Sequence, residues 1–343
     1  MKKIVFTGGG TAGHIMPNLA LIDELKNKAK VYYIGSNGME KEIITKTDIP
    51  FYEISSVKFK RSLSFSNLLI PFKLLKAIKQ AKKILKELKP DVIFNKGGYV
   101  SLPVVFAGKQ LKIKIISHES DMTLGLANKL CKNKSEIICT SFEKTAESLK
   151  NGLWTGSPIR NQIFKGNKEN AKKLFENFKP KPTILVVGGS LGSKIINENI
   201  VKCLDNLKEY NIIHLVGKNN LTGIKKNNYV ELEFSNNIED LYALADLVIS
   251  RAGSNVINEI LALNKLNLLI PLSKKASRGD QILNANYFKE KGYSNVLYEE
   301  NLTPTTLLNS IKQTFLNKNK YLKNMKSTNT KLANKKIIEL LLK

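Results

Sequence analysis

The chain has 343 residues, 42% hydrophobic and 24% charged, the balance of a soluble globular protein with material for two full cores. No run approaches the ~18 apolar residues of a membrane span, and Met1-Lys2-Lys3 leads only into a short apolar stretch and glycines, so no secretory signal is expected. The three cysteines, Cys131, Cys139 and Cys203, are widely spaced and form no C-x-x-C pair, which argues against disulfide scaffolds and zinc sites and for a reducing, cytosolic setting. The net charge of +26 calls for a partner or a compositional cause. Its lysines are spread along the chain with no RNP, zinc-finger or helix-turn-helix signature, so no nucleic-acid partner is expected. A general Lys/Asn/Ile-rich drift and an anionic membrane surface both remain open.

Taken in order, Ile4-Val5-Phe6 reads as a buried parallel strand. It breaks into Thr7-Gly8-Gly9-Gly10-Thr11-Ala12-Gly13-His14, and a helical pattern follows. Strand, glycine loop and helix together aim backbone N–H groups and a helix N-terminus at an anion. The glycines let a phosphate or sugar approach where a Cβ would block it. A plain turn of an α/β protein has the same glycines; the added feature is His14. At a helix start the dipole disfavours imidazolium, so the ring stays neutral and can take a proton.

Further strands are expected at 30–35, 50–54, 91–95, 114–117 and 137–140, the last of these closing the first half, with helices at 39–47 and 123–130. Lys96-Gly97-Gly98-Tyr99 forms a second glycine loop, and His118-Glu119-Ser120-Asp121 begins another. The pattern lapses from Gly156 to Pro182 and then restarts: a strand at 183–187, a glycine loop from Gly188 to Ser193, and a helix from Ile195. Strands follow at 212–216, 229–234, 247–250 and 268–271, and an amphipathic helix at 330–342 closes the sequence. Strands alternating with helices mean parallel, doubly wound sheets with ligands beyond the C-terminal strand ends. The recurrence predicts two Rossmann-like domains in series, with a ligand in a shared cleft.

Ser250-Arg251-Ala252-Gly253-Ser254-Asn255-Val256-Ile257-Asn258-Glu259 reads as strand end, glycine turn and a helix whose first turn can cap a diphosphate with N–H groups. One turn in, Glu259 is either a carboxylate for two ribose hydroxyls or a solvated helix charge. Neither glycine loop is a phosphate-binding G-x-x-x-x-G-K-[ST], and hydride transfer is a weak reading because no acidic residue closes a dinucleotide fingerprint. No D-x-D occurs, so a metal held against the diphosphate by that route is not expected, and with hydride transfer set aside no cofactor is expected. His214, within an apolar strand, reads as structural, and His118 as structural or supporting. Around Phe65 to Lys89, Leu74, Ile78, Ala81, Leu85 and Leu88 recur at helical spacing and face a core. Leu68, Leu69, Ile70, Phe72 and Leu75 are then in excess, ringed by Lys58, Lys60, Arg61, Lys73, Lys76 and Lys79. That is the composition of a tip that dips into an anionic leaflet, or of a longer buried face with a solvated lysine side.

TGGGTAGHIMPNLAL, KGGYVSLP, HESDMTLGLANK, GSPIR, VVGGSLGS, SRAGSNVINE and SRGDQILNA occur in this order along essentially the whole chain. Together they resemble the MurG family of N-acetylglucosaminyltransferases. The resemblance implies an α/β protein of GT-B type, two Rossmann-like domains with parallel sheets facing a central cleft. The first would span 1–157 and face the acceptor and membrane, with the C-terminal helix at 329–343 packing back on it; the second, 158–328, would bind the sugar nucleotide. It implies a UDP-N-acetylglucosamine-dependent hexosyltransferase at the cytoplasmic face of the membrane, acting on a polyprenyl-pyrophosphoryl-muramyl peptide (lipid I) to give lipid II. In the donor site it implies Ser190 and the backbone of Ser254, Asn255, Val256 and Ile257 at the diphosphate, with Asn258 in the same turn. Ser235 would meet uracil, Glu259 the ribose, and Gln281 the transferred sugar, while Thr11, Ala12, Gly13, Asp121 and Arg160 would complete the site. His14 is the candidate base, with Asp121 as the alternative. Two departures from the family pattern stand out: Ala12 replaces a glycine, and Asp121 replaces an amide. Other GT-B enzymes, such as a diacylglycerol glycosyltransferase or a UDP-sugar epimerase, form the alternative.

Overall fold

The structure, a computed structural model, describes residues 1–56, 70–189, 191–274, 277–328 and 332–343. Lys58, Lys60, Arg61, Leu68, Leu69 and Ser190 lie outside the described residues. The chain divides into two compact units, Met1–Arg160 joined by the C-terminal segment ending at Lys343, and a second that begins at Asn161.

The first unit is built on seven strands: β1 (Lys2–Thr7), β2 (Ala29–Gly35), β3 (Phe51–Glu53), β4 (Val92–Asn95), β5 (Lys114–Glu119), β6 (Ile137–Thr140) and β7 (Gly152–Trp154). They lie in the order β3-β2-β1-β4-β5-β6-β7, and every pairing between them is parallel. The period-2 geometry of β1 sends Ile4 and Phe6 to one face and Val5 to the other. Ile4 and Phe6 meet Leu21 and Leu25 of helix Ala12–Leu25, while Val5 meets Ile78, Ala81 and Leu85 of helix Ile70–Leu88. A strand buried on both faces has to be apolar throughout, which is why these strands read as continuous apolar runs. Helix Ala333–Leu342 adds Ile337, Ile338 and Leu341 to the first of these cores. At about 1.5–3 kcal/mol for each buried side chain, these contacts hold the end of the chain to the first unit.

The second unit carries six strands: β8 (Thr183–Val187), β9 (Asn211–Leu215), β10 (Tyr229–Leu232), β11 (Leu247–Ser250), β12 (Asn267–Leu269) and β13 (Asn295–Val296). Their order is β10-β9-β8-β11-β12-β13, again parallel throughout. In both sheets the strand order reverses next to the first strand, between β1 and β4 and between β8 and β11. Crevices for ligands open at such switch points. Thr7 pairs with Asn95 and Val187 with Ser250, so each unit brings two of the predicted loops side by side at its switch point.

Three local expectations are corrected. His118 and Glu119 belong to β5 rather than to a loop. The helix expected at 123–130 runs from Leu126 to Cys131, because Glu119 takes the Gly125 N–H and holds the preceding residues in a turn. Strand β7 follows the one expected to close the first half. The core stripe on helix Ile70–Leu88 is as read, with Ile78, Ala81, Leu85 and Leu88 buried and Leu74 half-buried.

Candidate active site

In the first unit two glycine loops interlock. Gly10 sits at φ +83°, where a Cβ would come 2.6 Å from the Tyr99 ring. Gly98, at φ +82°, lies against the Gly9 carbonyl, and a Cβ there would be 3.1 Å from His14 Nδ1. Only glycine satisfies both the left-handed backbone and the close approach. Two buried carboxylates organise this surface. Glu40, with no exposed area, accepts the Gly10 N–H at 3.1 Å, the Ser36 N–H at 2.9 Å and the Ser36 hydroxyl at 2.5 Å. Glu119 accepts the N–H groups of Ser120 (2.9 Å), Asp121 (3.1 Å) and Gly125 (2.9 Å), and the Asn128 amide (2.9 Å). The turn that presents Asp121 is therefore fixed by one side chain.

His14 stands in the first turn of helix Ala12–Leu25, half-buried. Its Nδ1 lies 3.0 Å from the Gly9 carbonyl and 3.1 Å from the Thr11 hydroxyl. A carbonyl only accepts, so Nδ1 carries the proton and the lone pair sits on Nε2. Burial, followed by the positive charge of Lys96, lowers the His14 pKa to about 4; the Gly9 bond and the charges of Asp121 and Glu40 act the other way. The ring is neutral at ordinary pH and holds the tautomer a base needs. Thr11 and Ala12 are exposed, and Gly13, Asp121 and Arg160 are half-buried, all in the first unit. His118 is fully buried with Nε2 2.9 Å from the Gly156 carbonyl, and His214 bridges Tyr229 and Asn197, each at 3.1 Å. Both hold the fold.

In the second unit a cavity of about 510 Å³ is lined by Val187, Gly188, Gly189, Gly192, Ser193, Lys194, Ile195, Arg251, Gly253, Val256, Leu272, Gln281 and Glu299. Two helices begin on its wall, Lys194–Cys203 and Ser254–Ala262. Neither has a side-chain cap or an acidic residue in its first turn. Adjacent uncapped helix starts at a switch point concentrate positive potential on one small volume, the requirement for a diphosphate. Arg251 is spent on the frame rather than offered outward. Its guanidinium pairs with Glu299 and donates to Ser193 Oγ (2.7 Å) and the carbonyls of Ile270 (3.2 Å) and Pro271 (3.4 Å).

Of the residues expected at the donor, Val256 and Gln281 line this cavity, and Gln281 Oε1 accepts the Leu272 N–H at 3.0 Å, leaving its NH₂ group as the donor side. Ser254 is buried and Asn255 half-buried in the first turn. Ile257 and Asn258 face inward, the Ile257 N–H donating to the Gly253 carbonyl at 3.2 Å and the Asn258 side-chain amide to the Ser254 carbonyl at 2.8 Å. Glu259 is half-buried one turn further, and Ser235 half-buried after β10. Sequence reading passed over Lys96, Glu40, Glu119 and Arg251; the only signal was a charged residue beside a glycine or turn motif.

Residues 4–139 match the glycosyltransferase family 28 N-terminal domain and residues 183–341 its C-terminal domain. A Clostridium perfringens protein named UDP-N-acetylglucosamine–N-acetylmuramyl-(pentapeptide) pyrophosphoryl-undecaprenol N-acetylglucosamine transferase is 54% identical over 333 residues, 94% of this chain and 93% of its own. A Clostridium botulinum protein of the same name is 50% identical over 100% of this chain and 99% of its own. The crystal structure of Acinetobacter baumannii MurG superposes with a TM-score of 0.77 at 25% identity, covering 99% of both chains. The chain belongs to the MurG family. Membership agrees with the GT-B architecture of two parallel-sheet units. Within this MurG-family chain four of the motifs, those after Thr7, Asn95, Val187 and Ser250, fall on the strand ends at the two switch points, where crevices for ligands open.

Proposed function

We propose that the chain transfers N-acetylglucosamine from UDP-N-acetylglucosamine to the 4-hydroxyl of the muramyl sugar of lipid I, forming lipid II, with inversion at the anomeric carbon. The observation that carries this is half identity over nearly the full length with proteins named for that transfer. The geometry supplies the parts. The paired helix starts of the second unit stabilise the charge that grows on the leaving UDP, with no metal or cofactor called for. His14 Nε2 takes the proton of the attacking hydroxyl. A single displacement of this kind needs no covalent sugar intermediate. The test is transfer of labelled sugar from UDP-N-acetylglucosamine to a short-chain lipid I, with diacylglycerol as competing acceptor. Label on lipid I alone supports the proposal. Label on diacylglycerol, or inversion of the donor sugar without any acceptor, points to another GT-B enzyme.

Replacing Glu259 with alanine is expected to weaken donor binding about 10²-fold or more, the scale of two hydrogen bonds to a charged group. It should also erase discrimination against a 2′-deoxyribose donor, measured by competition. Retained preference for the ribose donor would leave Glu259 as a surface charge.

For the lipid-borne acceptor, we propose peripheral docking on the anionic inner leaflet, at the cytoplasmic face of the cell membrane. Among the described residues no helix is long and apolar enough to cross a membrane. At the start of helix Ile70–Leu88, however, Phe72 is 71% and Leu75 56% exposed, with Lys73, Lys76 and Lys79 exposed beside them. Apolar side chains left in water within a basic ring favour a surface that offers both acyl chains and negative charge. Phe72→Ser with Leu75→Ser should lower binding to anionic vesicles and transfer to vesicle-borne lipid I, and leave transfer to a short-chain soluble acceptor near normal. Equal loss on both acceptors would contradict docking.

A further inference from the structure

Among the described lysines of the first unit, Lys96 alone is buried. It follows β4, is 1% exposed, and donates its backbone N–H to the Thr7 carbonyl at 2.9 Å. A Cβ on Gly8 would be 3.0 Å from the Lys96 Cβ, so the side chain runs directly beneath the first glycine loop. Its ammonium donates to the Ser120 hydroxyl, within the turn that Glu119 organises and that presents Asp121. Burying an ammonium is costly unless anions offset it, and a lysine kept for packing alone is replaceable by an apolar chain.

We infer that Lys96 is a positioning residue for the transfer: its buried ammonium ties the Ser120–Asp121 turn beneath the first glycine loop and keeps His14 neutral when an anionic substrate is bound. This rests on the proposed transfer reaction. The substrates bring a diphosphate on each side of the reaction. Negative charge near an imidazole raises its pKa, and a base already protonated cannot accept the hydroxyl proton. The groups facing His14 are Lys96 after β4, Asp121 after β5, Glu40 of helix Met39–Ile44, and the Thr11 hydroxyl on its own turn. Lys96 is the one cation among them, against two carboxylates. It also faces Glu119 and Asp121, whose charges favour its protonated form, and His118, whose pKa falls well below the ordinary value through burial and then this ammonium. Burial lowers the Lys96 pKa to about 8, which leaves the charge in place at neutral pH. Sequence alone carries no sign of this arrangement, because Lys96 is one lysine among many and its neighbours come from two segments distant from it, 7–14 and 118–121.

The experiment compares the wild-type chain with Lys96→Gln, which can keep the bond to Ser120 without the charge, and Lys96→Met, which loses both. Turnover at saturating lipid I and UDP-N-acetylglucosamine is followed against pH, because kcat reports the ionisation of the substrate-bound enzyme. In Lys96→Gln the acid limb of kcat should move up by about one pH unit or more, so that at a given pH on that limb activity is about tenfold lower and is recovered as the pH is raised. The KM for UDP-N-acetylglucosamine should stay within about twofold, the donor cavity being in the other unit. Lys96→Met should show the same shift and a further loss that alkali does not recover. Should Lys96→Met fail to fold, Lys96→Gln and an NMR titration of the His14 ring in the substrate-bound state decide alone. A wild-type acid limb in Lys96→Gln, or a loss that is the same at every pH, overturns the inference. Failure of the wild-type chain to transfer at all would overturn the functional reading instead.

Discussion

Replacing His14 with alanine should lower turnover by ~10²–10⁴-fold, the contribution of a positioned general base. Donor affinity should stay near normal, because the helix starts and Gln281 that line the cavity proposed for the nucleotide belong to the second unit. The prediction rests on two features that the structure fixes separately. The Gly9 carbonyl accepts the Nδ1 proton and so selects the tautomer with Nε2 free. Burial and the Lys96 charge hold the pKa at about 4, so the ring is in its accepting form at neutral pH. Single-turnover transfer and equilibrium binding of UDP-N-acetylglucosamine, measured side by side, separate chemistry from binding. Near wild-type turnover in the variant would remove His14 from the mechanism and move the role of base to Asp121.

A second large effect concerns stability in acid. His14 and His214 have folded pKa values of about 4, and that of His118 lies well below the ordinary value, in each case chiefly through burial. The folded values lie below the unfolded 6.5, so between 6.5 and about 4 the unfolded chain binds more protons than the folded one. Stability therefore rises with pH across this window and is lost as pH falls through it. At pH 5 His14 and His214 should each cost about 2 kcal/mol relative to neutral pH, against a typical total of roughly 5–15 kcal/mol, and His118 acts in the same direction. Two of the three, His14 and His118, belong to the first unit, which should be the more acid-labile. Trp154, the single tryptophan, lies in β7 of that unit and reports on it selectively. The urea midpoint followed by its fluorescence should fall steeply between pH 7 and pH 5. A flat midpoint over that interval would mean that these imidazoles are protonated in the folded state at little cost.

The parts of this molecule legible in its sequence are those set by short-range pattern. Apolar runs ending in glycine or in a glycine turn marked the central strands, and two of these ends, at the switch points, carry His14 and the Ser254 turn, whereas Gln281 came from the family resemblance. Strands β7 and β13 escaped notice because three and two residues at a sheet edge carry no usable periodicity. His118 and Glu119 read as loop because polar residues usually are. They extend β5 into the interior because Gly156, Gly125 and Asn128 supply their partners. The same holds for Glu40, which supports Gly10 from 30 positions away, and for Lys96 beneath Gly8. A buried charge is visible only once the groups that neutralise it are assembled in space.

The proposed reaction is transfer of one sugar, with inversion, to a lipid-borne muramyl acceptor. The most direct measurement is proton NMR of the disaccharide that the purified chain makes from UDP-N-acetylglucosamine and a short-chain lipid I. The donor sugar is α-linked to UDP, so a single displacement by the 4-hydroxyl predicts a β-linked N-acetylglucosamine at that position. An α-linked product, attachment at another hydroxyl, or no disaccharide from a folded, donor-binding chain would contradict it.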